Sequence, residues 1–221
     1  MKIFRRENRL SWILTAIMFI IALAAFPFLP DRIPIHFNGE GAIDGTGSRI
    51  FIFLMPAVAA LMLLLGEITR QIDPRHQNYR RFQHHYYLIF LGCCLLFFML
   101  ELYTIAVCLS PQLEQSFSMG QWMPVLVGAL IALCGNVLPK FKPNYFAGIK
   151  TPWTLANENV WYLTHRFTGK IWFGGGILLM LVAFLPSQFK TAATLILLIA
   201  LIFIPYVYSY LAFRQEKKNE E

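Results

Sequence analysis

The amino-acid sequence predicts an all-α polytopic membrane protein: six transmembrane helices, both termini cytoplasmic, and a cytoplasmic amphipathic helix between spans four and five. Three observations carry this. Of 221 residues, 57% are apolar and 14% charged, with a mean hydropathy of +0.54, outside the range of a soluble domain. Six apolar runs, 10–29, 50–66, 86–109, 122–138, 171–185 and 192–213, are long enough, or nearly so, to cross a hydrocarbon core about 30 Å thick. Finally, 16 of the 19 Lys and Arg residues fall on one side of that arrangement, and only Arg32, Arg49 and Lys190 on the other, which places the rich side in the cytoplasm.

The first run follows Lys2, Arg5, Arg6 and Arg9 and is longer than the apolar core of a signal peptide, so it reads as a retained helix. The fifth is short, and its Gly174, Gly175 and Gly176 suit close packing against neighbouring helices. The formal charge of +7 flanks the apolar runs instead of gathering on a soluble face, which argues against direct nucleic-acid binding and names the bilayer as partner. Cys93, Cys94, Cys108 and Cys134 sit inside spans without ligand spacing, so they read as small buried hydrophobes, with no metal or cofactor expected. The charged tail 214–221 reads as a solvated, partly disordered end. Two units follow: a two-helix module, 1–85, with a structured extracytoplasmic loop at 30–49, and a four-helix region, 86–221, with a cytoplasmic loop at 139–170.

The most polar and turn-rich stretch of the chain is 135–172. Pro139 ends an apolar run, Lys140 and Lys142 add charge, and Pro143, Asn144 and Gly148 are turn formers. Thr151 before Pro152 is the pairing of an N-cap and a first helical residue, and Gly169 stands where a stop belongs, so a helix is expected over 152–168. Trp153, Ala156, Val160, Leu163 and Phe167 share one side and Thr154, Glu158 and His165 another, as in a helix lying on a membrane surface.

Several residues invite functional readings, each beside a plainer one. In the outward loop, Arg32 to Phe37 alternates as a short extended piece, and tight turns follow. There His36, with Asn38, Glu40 and Asp44 near it, either binds a peptide backbone or a metal ion, or simply closes the loop by hydrogen bonding. Glu158 and His165, two turns apart around Trp161, form either an acid and base pair or a structural one. Lys150 and Thr151 place a cation and a hydroxyl at a helix start that suits an anion, either a lipid phosphate or a protein carboxylate. Trp153, Trp161 and Trp172 fit an interfacial aromatic belt. Glu101 lies well inside a span, where an unpaired charge costs about 2.5 kcal/mol or more, so it is protonated, paired, or near the outer interface.

Two segments carry a family resemblance. Leu29-Pro30-Asp31, Ile35-His36-Phe37-Asn38 and Gly41, Asp44, Gly45 and Gly47 resemble the small two-helix module of unknown function, DUF1648, that opens many bacterial membrane proteins of the SdpI immunity family. Gly135-Asn136, then Lys142 through Leu155, Val160-Trp161 and Thr164-His165-Arg166 resemble that family's signature, with Lys150 where its members commonly carry Arg. The resemblance implies a non-enzymatic immunity protein of the bacterial plasma membrane. It would meet a secreted peptide toxin outside and, as a signal transducer, hold a cytoplasmic repressor inside. It also implies binding roles for Asn144, Gly148, Lys150, Thr151, Pro152, Trp153, Thr154, Trp161 and His165, with Pro30, His36, Asn38 and Gly41 in the outer loop. A small-solute or lipid-linked transporter using Glu101, and a membrane enzyme using the loop at 139–170, are the competing classes.

Overall fold

The computed structural model describes residues 5–220, apart from the side chains of Gln115 and Glu220. Lys2, among the cations expected inside, lies outside that range. The helices are α1 (Arg9–Ala25), α2 (Leu54–Ile72), α3 (Gln83–Leu109), the single turn α4 (Leu113–Ser116), α5 (Met119–Val137), the short α6 (Pro152–Ala156), α7 (Glu158–Val182) and α8 (Ser187–Glu220). Among the described residues five helical segments, Arg9–Phe28, Arg49–Ile72, Gln83–Leu109, Met119–Lys140 and Ser187–Asn219, are long and apolar enough to cross a membrane.

The expected surface helix over 152–168 and the expected span over 171–185 are instead α6 plus one continuous α7. The break falls at Asn157, whose side chain caps α7 by accepting from the Asn159 and Val160 N–H groups at 2.8 and 3.1 Å. Gly169 does not stop the helix; it serves packing. A Cβ added there would lie 2.5 Å from Pro139 Cγ, and one on Gly176 would lie 2.5 Å from both Ala132 N and Gly128 O. Glycines thus let α5 and α7 run antiparallel at close range. On its other side α7 meets α8, where Trp172 Nε1 donates to the Leu201 carbonyl at 2.8 Å and Phe167 stacks on Tyr208. α8 itself stays helical to Glu220, so the tail is solvated as its charge suggested but helical over 214–220, and Glu221 lies outside the described residues.

The loop at 30–49 departs from the all-α expectation. β1 (Arg32–Phe37) pairs antiparallel with β2 (Ile43–Ser48), from Arg32↔Ser48 to Phe37↔Ile43, with a register shift around His36. The tip docks on other elements: Thr191 Oγ1 donates to the Gly39 carbonyl at 3.0 Å, and a Cβ on Gly41, whose φ is +87°, would strike the Gly120 backbone. The bundle therefore has a hairpin end and, opposite it, a loop end at 138–157.

Candidate functional site

At the loop end the chain folds around the buried amide of Asn144. Its Oδ1 accepts from the Phe146 N–H at 3.0 Å, the Ala147 N–H at 2.6 Å and the Tyr79 hydroxyl at 3.2 Å. Its Nδ2 donates to the carbonyls of Lys142 and Ala147, both at 2.9 Å. Asp73 completes the knot by accepting from the Tyr79 hydroxyl at 3.0 Å and the Tyr145 N–H at 2.9 Å. Burial first, and then the Asp73 carboxylate, hold the Tyr79 phenol well above its usual range. Asn78 Nδ2 also donates to the Pro143 carbonyl at 2.7 Å, so the turn before α3 and the signature loop are fastened together.

Gly148 takes φ +111°, and an added Cβ would lie 2.4 Å from His165 Nε2. Only glycine lets the backbone pass so close to the imidazole. His165 Nε2 accepts the Ile149 N–H at 3.1 Å, and Nδ1 donates to the Trp161 carbonyl at 2.8 Å, a pattern that demands the neutral ring. Burial correspondingly pushes its pKa down to about 4. Thr151 and Thr154 form a reciprocal capping box, as the Thr151-Pro152 pair predicted, and Thr154 Oγ1 also donates to the Ile149 carbonyl at 2.8 Å.

These bonds show which of the residues singled out in the sequence the fold brings together. Glu158 pairs with Arg75 at 3.5 Å, not with His165, so the acid and base pair is not assembled. The start of α6 is occupied by its own capping box, and Lys150 points outward as an exposed side chain. The buried face of α7 is Val160, Trp161, Thr164, His165 and Thr168, which corrects the expectation that His165 sits on a wet polar side. Nor is Trp161 part of an interfacial belt: it is fully buried, stacked on His165, and donates to the Phe141 carbonyl at 3.0 Å. Trp153 packs on Tyr206 and Tyr210 with Pro152 exposed beside it.

The polar pairs of the hairpin end lie nearer the surface. His36 Nδ1 meets Asp44 Oδ1 at 2.5 Å across the strands, the loop-closing alternative of the two considered. Asn38 Oδ1 accepts from the Glu40 and Ala42 N–H groups at 3.0 Å and so shapes the turn, while Pro30 is exposed. Beneath the hairpin, Glu101 is buried, and neither carboxyl oxygen has a hydrogen-bond partner among the described residues. It borders a cavity of about 330 Å³ that Ile33, Phe37, Thr104, Met119 and Met123 help to line.

One buried carboxylate escaped the sequence reading because it falls just past an apolar run. Glu67 accepts from Asn8 Nδ2 at 3.0 Å and from the Tyr87 hydroxyl, and lies 3.3 and 3.5 Å from the Nε atoms of Arg5 and Arg70. Its partners are far away in sequence, and only the Arg70 spacing of three residues was visible as a signal.

The apolar helices define a multi-pass membrane protein. The model of the SdpI/YfhL protein family matches residues 140–209, and that of DUF1648, a domain of unknown function, matches 13–60. The chain is 24% identical over 208 residues to "Immunity protein SdpI" of Bacillus subtilis (strain 168), covering 93% of this chain and 95% of that protein. No solved structure matches. These matches bear out the resemblance drawn from the paired motifs: the chain is similar to SdpI proteins over nearly its whole length.

Proposed function

We propose that this protein is an immunity protein that protects its cell from a secreted, membrane-active peptide toxin. The observation that carries the reading is the similarity to Immunity protein SdpI along nearly the whole of both chains. In this reading α7 is a sixth crossing, supported by its antiparallel course between α5 and α8, and both termini and the signature loop face the cytoplasm. The hairpin end meets the toxin. A repressor would dock on the exposed basic surface of the loop end, where Lys150, Arg166 and Lys170 are exposed. No cofactor and no catalytic residue enter this reading.

A deletion strain challenged with the cognate peptide should lyse, and the restored gene should rescue it; rescue by an empty vector overturns the proposal. Cysteines placed at Lys150 and Glu40 should label from inside and outside respectively, and the reverse pattern overturns the orientation. If Lys150→Ala abolishes repressor recruitment without affecting rescue, signalling and protection are separable.

A second reading, a small-solute or lipid-linked transporter, draws on the cavity beside Glu101. It expects solute or proton flux that Glu101→Gln abolishes in proteoliposomes.

A further inference from the structure

A second cavity lies at the loop end, and its lining is polar where that of the cavity beside Glu101 is mostly apolar. It measures about 440 Å³ and is walled by Arg5, Arg70, His76 and Arg80 with Gln71 and Gln83. These residues come from three segments: the lead-in to α1, the junction of α2 with the turn that follows it, and the approach to α3. An adjoining cavity of about 430 Å³ shares His76 and Arg80 and adds Arg81.

The charge is not balanced from within. The carboxylate of Glu67 is shared between Arg5 and Arg70, and its other oxygen is occupied by Asn8 and Tyr87. Glu7, at the rim, accepts from Gln83 Nε2 at 3.1 Å. Arg80 is exposed and Arg81 is exposed, and neither has an ion-pair partner among the described residues. Guanidinium groups gathered around a polar cavity match the oxygens of a phosphate, which they hold by charge-assisted and often paired hydrogen bonds.

Beside the cavity the surface turns apolar. Leu10 on α1 is 65% exposed and Ile72 at the end of α2 is 62% exposed, positions suited to acyl chains. We propose that the two cavities form a headgroup site for an acidic membrane phospholipid, its phosphate among Arg5, Arg70 and Arg80 and its chains along α1 and α2. Because the cavities share a wall, a headgroup with two phosphates occupies both, and cardiolipin binds more tightly than phosphatidylglycerol. The assignment does not depend on the toxin reading.

The full chain, purified in detergent, is titrated with cardiolipin, phosphatidylglycerol, phosphatidylcholine and, separately, inorganic phosphate, while its melting temperature is followed. The two acidic lipids should raise the melting temperature in that order and phosphatidylcholine should not. Arg80→Gln should weaken cardiolipin about fivefold, the equivalent of ~1 kcal/mol for one cation near the surface. Arg166→Gln, an exposed cation elsewhere on the same end, should leave it unchanged. An equal response to phosphatidylcholine, an equal loss in both variants, or no loss in Arg80→Gln overturns the site. If inorganic phosphate alone reproduces the full shift, the ligand is a free anion and the lipid assignment falls.

Discussion

The two ends of the bundle place their organising polar groups differently, although the Thr164 and Thr168 hydroxyls near the loop end also lack a hydrogen-bond partner among the described residues. At the loop end the Asn144 amide, the His165 ring and the Thr151 and Thr154 hydroxyls find partners within the protein. At the hairpin end Glu101 is equally buried, yet its oxygens lack a hydrogen-bond partner among the described residues, and the side-chain pairs across the strands, His36 with Asp44 and Arg32 with Thr46, are exposed. The residues that stand out most in the sequence are therefore those that build the fold. The chemistry left available to a ligand sits on residues with no motif around them, Glu101 at one end and Arg80 at the other.

The sharpest way to break this contrast is to truncate the two asparagines that organise each end. Asn144→Ala removes five hydrogen bonds from a buried site and strands their partners, so stability should fall by about 3–5 kcal/mol. Asn38→Ala removes two from an exposed turn and should cost about 1 kcal/mol. Denaturant or thermal unfolding in detergent measures both. Equal losses would mean that the loop end is no more tightly organised than the hairpin.

The next effect is the pH response of the loop end. Burial holds the His165 imidazole down to about 4, against 6.5 for a free histidine. Above 6.5 neither state carries the proton and the ring has no effect on the slope. Between 6.5 and 4 the unfolded chain takes up a proton that the native site refuses, so stability declines with acid, by roughly 3 kcal/mol in all. His165→Gln can keep a donor and an acceptor without titrating, and its stability should be flatter over that interval. A wild-type curve as flat as the variant's would show that the ring is not held neutral.

How much of this was legible follows from the range of the signals. Thr151-Pro152 is a local pattern, and the structure has the cap there. Asn157 before Glu158 is equally local, but the apolar spacing runs on through it and masks the cap. Gly169 and Gly174 to Gly176 read as breaks and spacers, whereas what keeps most of them small is contact with α5 and α8, which no local window contains. β2 is Ile-Asp-Gly-Thr-Gly-Ser, with too few apolar residues to declare a strand; its pairing with β1 supplies the order. Glu67 depends on Arg5, Asn8 and Tyr87, and that proximity exists only after the helices pack.

Glu101 gives a smaller effect of opposite sign. An unpartnered buried carboxyl opposes folding, so Glu101→Leu should stabilise the protein by about 1–2 kcal/mol, provided the cavity takes the added bulk. If the hairpin end also receives the toxin, the same variant should protect cells less well than wild type while melting at a higher temperature. A lower melting temperature would mean that Glu101 has a stabilising partner, and the contrast between the ends would weaken.

The smallest expected effect is at His36. The pair with Asp44 is close, at 2.5 Å, but the two side chains are 70% and 43% exposed, so water competes for both and salt screens them. His36→Ala and Asp44→Ala should each change stability by less than about 1 kcal/mol, and adding salt should shrink the difference further. The hairpin is held by other means: the ladder from Arg32↔Ser48 to Phe37↔Ile43, the buried Ile33, and the docking of its tip through Gly39 and Gly41. A loss near that of Asn144→Ala would place a structural keystone at this end too, and the contrast between the buried Asn144 knot and the exposed hairpin pair would fail.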